Sequence, residues 1–176
     1  MPHLLFALVN VNCGGFENRR LKLGIVRDII KIWRIVMSLT VDIDVTNLRA
    51  YSKKTRMPFY PLTLWVIAKV INAHDEFKYN WDRNGNLIQW DYVSPSYTAF
   101  HKDDKDLTKM VAEYSDNLVT FCNRVTADRE RYKNVRTVLE NQPLNFFDAS
   151  CLPWVRYKHF DICVFDEGKF LAPLVT

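Results

Sequence analysis

The sequence predicts an α/β domain, a two-layer sandwich in which helices cover a mixed sheet. Three observations carry that expectation. Met37, Leu39, Val41, Ile43 and Val45 alternate with Ser38, Thr40, Asp42, Asp44 and Thr46, the period of a half-buried strand with one polar face. The run from Leu62 through Trp65, Val66 and Val70 is apolar nearly all round and follows Pro61, as a buried helix with a proline in its first turn would. Asn84-Gly85 stands between β-rich runs at 77–81 and 87–92, the strongest short-range hairpin signal a sequence carries.

The remaining elements follow in order. Residues 21–37 are apolar with Arg27, Lys31 and Arg34 at helical spacing, a basic amphipathic helix that either packs on its own domain or lies on a membrane surface. Residues 47–56 read as a polar and basic connection. After Pro95 a short strand is expected over 97–101. Asp103, Asp104 and Asp106 suit the start of a helix, whose apolar face would be Leu107, Met110, Val111, Tyr114, Leu118, Phe121, Cys122, Val125 and Tyr132. Two β-like runs, 155–165 and 170–176, close the chain.

Length and composition narrow the function classes. The 176 residues suit one domain with a sizeable core, and neither a repeat nor a linker divides them. A net charge of +4 is scattered among acids rather than massed in a stripe, which argues against a nucleic-acid surface. Cys13, Cys122, Cys151 and Cys163 lack metal-ligand spacing and suggest no disulfide framework, so no metal and a reducing cytoplasm are expected. The apolar run at 4–9 is too short for a targeting segment, and nothing approaches the roughly 20 apolar residues of a membrane span. A soluble protein is expected.

One stretch invites a chemical reading. Residues 145–160 gather Phe146, Phe147, Trp154 and Tyr157 around Ser150 and Cys151, with Pro153 stiffening the turn. A hydroxyl held among large rings can be a fixed hydrogen-bond donor in a dry pocket. It can equally be a buried serine in a strand and turn.

Several runs together resemble the chloramphenicol acetyltransferase family. They are Ser38-Leu-Thr-Val-Asp-Ile-Asp-Val-Thr46, Phe59-Tyr60-Pro61, Asn72-Ala-His-Asp-Glu-Phe77 and Gln89-Trp90-Asp91. Pro95-Ser-Tyr-Thr98, Phe100-His101-Lys102-Asp103-Asp104-Lys105, Asn145-Phe-Phe147, Ser150-Cys-Leu-Pro-Trp154 and Leu171-Ala-Pro173 complete the series in order. The match covers residues 37–176, leaving 1–36 as a divergent N-terminal segment. The resemblance implies a homotrimer with active sites at subunit interfaces, acetyl-CoA as co-substrate and chloramphenicol as acceptor. A histidine would take the proton from the C3 hydroxyl, the oxygen would attack the thioester, and a serine would hold the oxyanion.

Carried over by motif, Ser150 is the oxyanion donor and Thr176 the residue that orders a water near the same transition state. Phe160, Ile162, Phe170 and Leu174 fall at acceptor-pocket positions, as do Asp148 and, less directly, Leu107, Thr108 and Leu139. The acyltransferase core of 2-oxoacid dehydrogenase complexes shares the implied fold, but the Phe59-Tyr-Pro61 and 100–105 runs favour the chloramphenicol branch.

The sequence also departs from the pattern. The His-His-x-x-x-Asp-Gly motif, whose second histidine is the family's general base, is absent; it is expected beyond Thr176. His3, His74, His101 and His159 lack its context. The sequence reading is therefore of a chain incomplete at its C-terminal end, poorly folding and inactive alone, or of a ligand- or subunit-binding remnant of the same fold.

Overall fold

The computed structural model describes residues 3–10, 37–140, 142–151 and 172–176. The expected helix at 21–37, the run at 155–165 and the side chains of Phe160, Ile162 and Phe170 lie outside these residues. The expected α/β architecture is present: the described residues form a six-stranded mixed sheet and a separate two-stranded hairpin, with helices packed on the sheet.

Strand β1, His3–Asn10, is the apolar run considered above as a targeting segment, and it joins the sheet. It pairs antiparallel with β2, Met37–Asp44, along its full length. The strand expected from the alternating pattern therefore forms, but its apolar face is not half-buried. Leu39 is 62% exposed, and Val41 and Ile43 are each 42% exposed. The correction follows from position, because β2 is the outermost of the described strands and the helices cover the middle of the sheet.

The connection expected at 47–56 is instead helix α1, Thr46–Thr55, with none of its residues buried. It lacks the apolar stripe that periodicity looks for, and Arg56 ends it in the left-handed region at φ 60°. Helix α2, Phe59–Asn72, carries Pro61 in its first turn, where the missing N–H costs nothing. It buries Leu62, Leu64, Ala68 and Ile71. Asn72 then clamps the helix to the chain entering the next strand: its amide donates to the Ala68 and Val93 carbonyls, and its oxygen accepts from the Val93 N–H at 2.8 Å.

The hairpin forms between β3, Tyr79–Trp81, and β4, Leu87–Gln89. Gly85 takes φ 78°, and the Asp82 carboxylate accepts from the Asn84 and Asn86 N–H groups, so side chain and glycine share the turn.

Strand β5, Ser94–His101, follows and folds back through Lys105, at φ 57°, into β6, Asp106–Val111. The helix expected to start near Asp103 is thus a strand in its first part. Thr108, Met110 and Ala112 are the buried residues there, a period of two masked by a polar threonine inside and an exposed leucine outside. The helix itself, α3, Leu118–Arg131, starts at Asn117, whose side-chain oxygen accepts from the Thr120 N–H at 2.9 Å.

Strand β7, Phe146–Ala149, runs parallel to β5, and β8, Leu174–Val175, runs parallel to β7 and antiparallel to β1. The sheet order is β2-β1-β8-β7-β5-β6. Helices α2 and α3 pack over one face, where Tyr97, Met110, Phe121, Val125, Phe147, Ala149 and Val175 form the core. No helix among the described residues is long and apolar enough to cross a membrane.

Candidate active site at the end of the parallel strands

Alternation along β7 sorts its residues between the two sheet faces. Phe147, fully buried, and Ala149, 4% exposed, face the helices. Asp148 lies on the other face, and the same alternation sends Ser150 there. The register pairs Asp148 with Leu174 and Ala149 with Val175. One residue further, Ser150 therefore stands beside Thr176. The ladder is closed by the Asp148 N–H donating to the Pro173 carbonyl at 2.9 Å and the Ser150 N–H donating to that of Val175 at 2.8 Å. The backbone of Ser150 is thereby fixed, while the residue stays half-buried.

Thr176 is 4% exposed, and its hydroxyl is buried without a hydrogen-bond partner. A buried hydroxyl left this way costs about 1–3 kcal/mol. A bound water or substrate oxygen would relieve that cost.

On the same face, the Asp148 carboxylate pairs with Lys109 of β6 at 2.6 Å, and the lysine Nζ lies 5.9 Å from the centre of the Phe146 ring. The sequence reading did not single out Lys109. Its face could be known only once residues 106–111 were recognised as a strand, since helical spacing assigns it no partner on β7.

Leu107 shares this face and is 45% exposed, while Leu174 shares it and is buried. Thr108 and Leu139 do not join the group. Thr108 is fully buried on the helix side, donating to the Val135 carbonyl and bonded to His101 Nε2 at 2.8 Å. Leu139 packs against the same core.

Behind the serine, on the helix side, lie Cys151, Tyr60 and Tyr97. The two tyrosine rings meet edge to face at 6.1 Å. Burial pushes both tyrosine hydroxyls and the Cys151 thiol above their ordinary values, so all three stay protonated at neutral pH and Cys151 is a poor nucleophile. Of the histidines, His101 lies on the opposite face from Ser150, and His74 packs edge-on against Phe77 at 5.9 Å.

A cleft among the described residues lies elsewhere. About 470 Å³ in volume, it is lined by Lys69, Asn72, Asp91, Tyr92, Tyr114 and Asp116, at the start of β5 rather than at the C-terminal ends of the parallel strands. Within it Asp116 accepts from both Lys69 and Tyr114. Ligands of open α/β sheets favour the carboxyl ends of parallel strands, where Ser150 sits.

The sequence profile of the family described as chloramphenicol acetyltransferase matches residues 6–176, spanning β1 to Thr176. The chain belongs to the chloramphenicol acetyltransferase family. A chloramphenicol acetyltransferase of Clostridium butyricum is 36% identical over 141 residues, covering 79% of this chain and 64% of the relative. One from Clostridium perfringens is 31% identical over 145 residues, covering 81% and 66%, and one from Escherichia coli is 33% identical over 138, covering 78% and 63%. The chain thus spans somewhat under two thirds of the length of these relatives. A solved chloramphenicol acetyltransferase structure superposes with a TM-score of 0.59 at 15% identity over 72% of this chain and 63% of that one, a likeness of fold.

Proposed function

We propose that the chain carries the oxyanion-binding and acceptor-binding side of an acetyl-CoA-dependent O-acetyltransferase that modifies the C3 hydroxyl of chloramphenicol. The observation that carries the reading is the shared sheet face of Ser150, Thr176, Asp148 and Leu174 at the ends of β7 and β8. A serine on a ladder-fixed backbone presents its hydroxyl with little reorganisation, as stabilisation of a developing oxyanion requires. The reaction joins the acceptor oxygen to the acetyl carbon, releases CoA as its thiol, and passes the acceptor proton to a base. It needs neither a metal nor a covalent enzyme intermediate. Soluble cytoplasmic homotrimers with interfacial sites are part of the same proposal, as is the assignment of Phe160, Ile162 and Phe170 to the acceptor pocket.

A second reading is a family member that binds ligand without turning it over. Among the described residues His74 lies against Phe77 and His101 across the sheet from Ser150, so neither of these two stands beside the serine, which favours it.

One experiment separates the two. The full chain is mixed with acetyl-CoA and chloramphenicol, free thiol is followed, and binding is measured by calorimetry. Turnover that falls by about 10²–10³ in Ser150→Ala supports transfer. Binding of both substrates without thiol release supports the silent form. Binding of neither overturns both readings.

A further inference from the structure

We propose that Lys109, through its ion pair with Asp148, sets the charge preference of the acceptor side, admitting a neutral dipolar alcohol and disfavouring one that carries an amine. The inference rests on the reading of Ser150 given above. Lys109 is on β6 and Asp148 on β7, with β5 between them. The register places Lys109 opposite Thr98 and Asp148 opposite Ser96. These small β5 side chains leave the lysine a path across the sheet to the carboxylate, which it reaches at 2.6 Å.

Asp148 and Ser150 alternate onto one face of the same strand, so this carboxylate is a charged group next to the candidate oxyanion donor. Its side chain is only 16% exposed and that of Lys109 35%, so the pair is partly withdrawn from water and its charges are weakly screened. The Phe146 ring beneath the ammonium favours the cation in this place.

A lone carboxylate here would draw a cationic ligand and leave uncompensated charge facing a neutral one. With Lys109 in place the pair is neutral in sum. Two further ammonium N–H donors and the carboxylate lone pairs remain to bond an amide, a nitro group or a second hydroxyl. Lys109 is therefore a positioning residue for Asp148, and selectivity between neutral and cationic acceptors is its expected readout.

The test is calorimetric, with the full chain and two probes. One is chloramphenicol; the other is the free-amine diol left when its dichloroacetyl group is removed. The wild type is expected to prefer the neutral amide. Lys109→Met should shift the amide-to-amine affinity ratio toward the amine by about fivefold or more. Lys109→Arg should keep the wild-type ratio, and adding Asp148→Asn to Lys109→Met should abolish the gain for the amine. Circular dichroism reports whether each variant keeps its fold. Should Lys109→Met fail to fold, Lys109→Arg and Asp148→Asn still decide: the wild-type ratio in the first with a changed ratio in the second supports the inference, and any other pattern overturns it. An unchanged ratio in folded Lys109→Met refutes the role of Lys109 while leaving Ser150 untouched. Failure of the wild type to bind either probe removes the functional reading itself.

Discussion

Replacing Tyr97 by Phe should stabilise the protein. Tyr97 lies in the middle of β5, 1% exposed, with its hydroxyl buried and without a hydrogen-bond partner. Burial also pushes that hydroxyl well above the ordinary tyrosine range, so it stays neutral and offers no charge to balance. Phenylalanine keeps the ring and its edge-to-face contact with Tyr60 at 6.1 Å. It removes an unmet desolvation cost of about 1–3 kcal/mol. Against this stand the dispersion contacts of one oxygen, about 0.1–0.2 kcal/mol for each atom pair. A net gain of about 1–2 kcal/mol remains, equivalent in urea to a midpoint raised by about 0.5–1 M. Urea unfolding followed by tryptophan fluorescence measures it, with an unchanged slope showing that the same surface unfolds. A midpoint that falls would refute the reasoning, because it would mean that the hydroxyl is bonded in solution.

Other perturbations have equally definite outcomes. Asn117→Ala removes the side-chain cap of α3 and should lower unfolding free energy by about 1 kcal/mol, whereas Asn117→Asp should keep most of it. At Gly85 an added methyl would touch nothing, so Gly85→Ala probes backbone conformation alone at φ 78° and should cost about 1 kcal/mol, with Gly85→Asn milder. The carboxyls of Asp104, beside Arg136, and Asp116, bonded to Lys69 and Tyr114, are held below their ordinary range, as are those of Asp75, by Lys78, and Asp82, by Asn86. Because the unfolded chain takes up these protons first, the stabilisation is fully present above the ordinary aspartate range and is lost as pH falls through the lower folded values. The urea midpoint should therefore decline below about pH 4, and less steeply in high salt because these groups are exposed. A midpoint that holds or rises on acidification would contradict the assignment.

The sequence disclosed those elements whose signals are local. Pro61 marks the start of α2, and the Asn84-Gly85 pair marks the hairpin, because each acts through its own backbone geometry. Helix α1 was hidden because its stability owes nothing to a buried stripe. Strand β6 was misread because Leu107, Met110 and Val111 satisfy helical spacing, while the alternation that matters runs through Thr108, Met110 and Ala112. The candidate site was legible only as motif: Ser150 could be singled out, but not the neighbour that β8 supplies. Lys109 could not be found at all, since its partner lies two strands away and pairing across a sheet leaves no mark in local periodicity. Thr108 and Leu139 show the converse: motif alignment offered both, yet strand alternation turns Thr108 to the helix side and Leu139 packs against the core there.

The two-residue strand β8 has a consequence for how the protein is made. It bonds to β1, with Leu8 opposite Val175, and to β7, with Ala149 opposite Val175, so it is the piece that joins the two halves of the sheet. During synthesis β1 and β2 can pair early, and β5, β6 and β7 can pair among themselves, but the halves meet only after residues 174–176 have left the ribosome. Until then β7 presents an unpaired edge and apolar residues wait uncovered, a state open to association with other nascent chains. Pairing over such a separation is also slow to find. The backbone that holds the candidate oxyanion donor is thus fixed only once β8 pairs with β7.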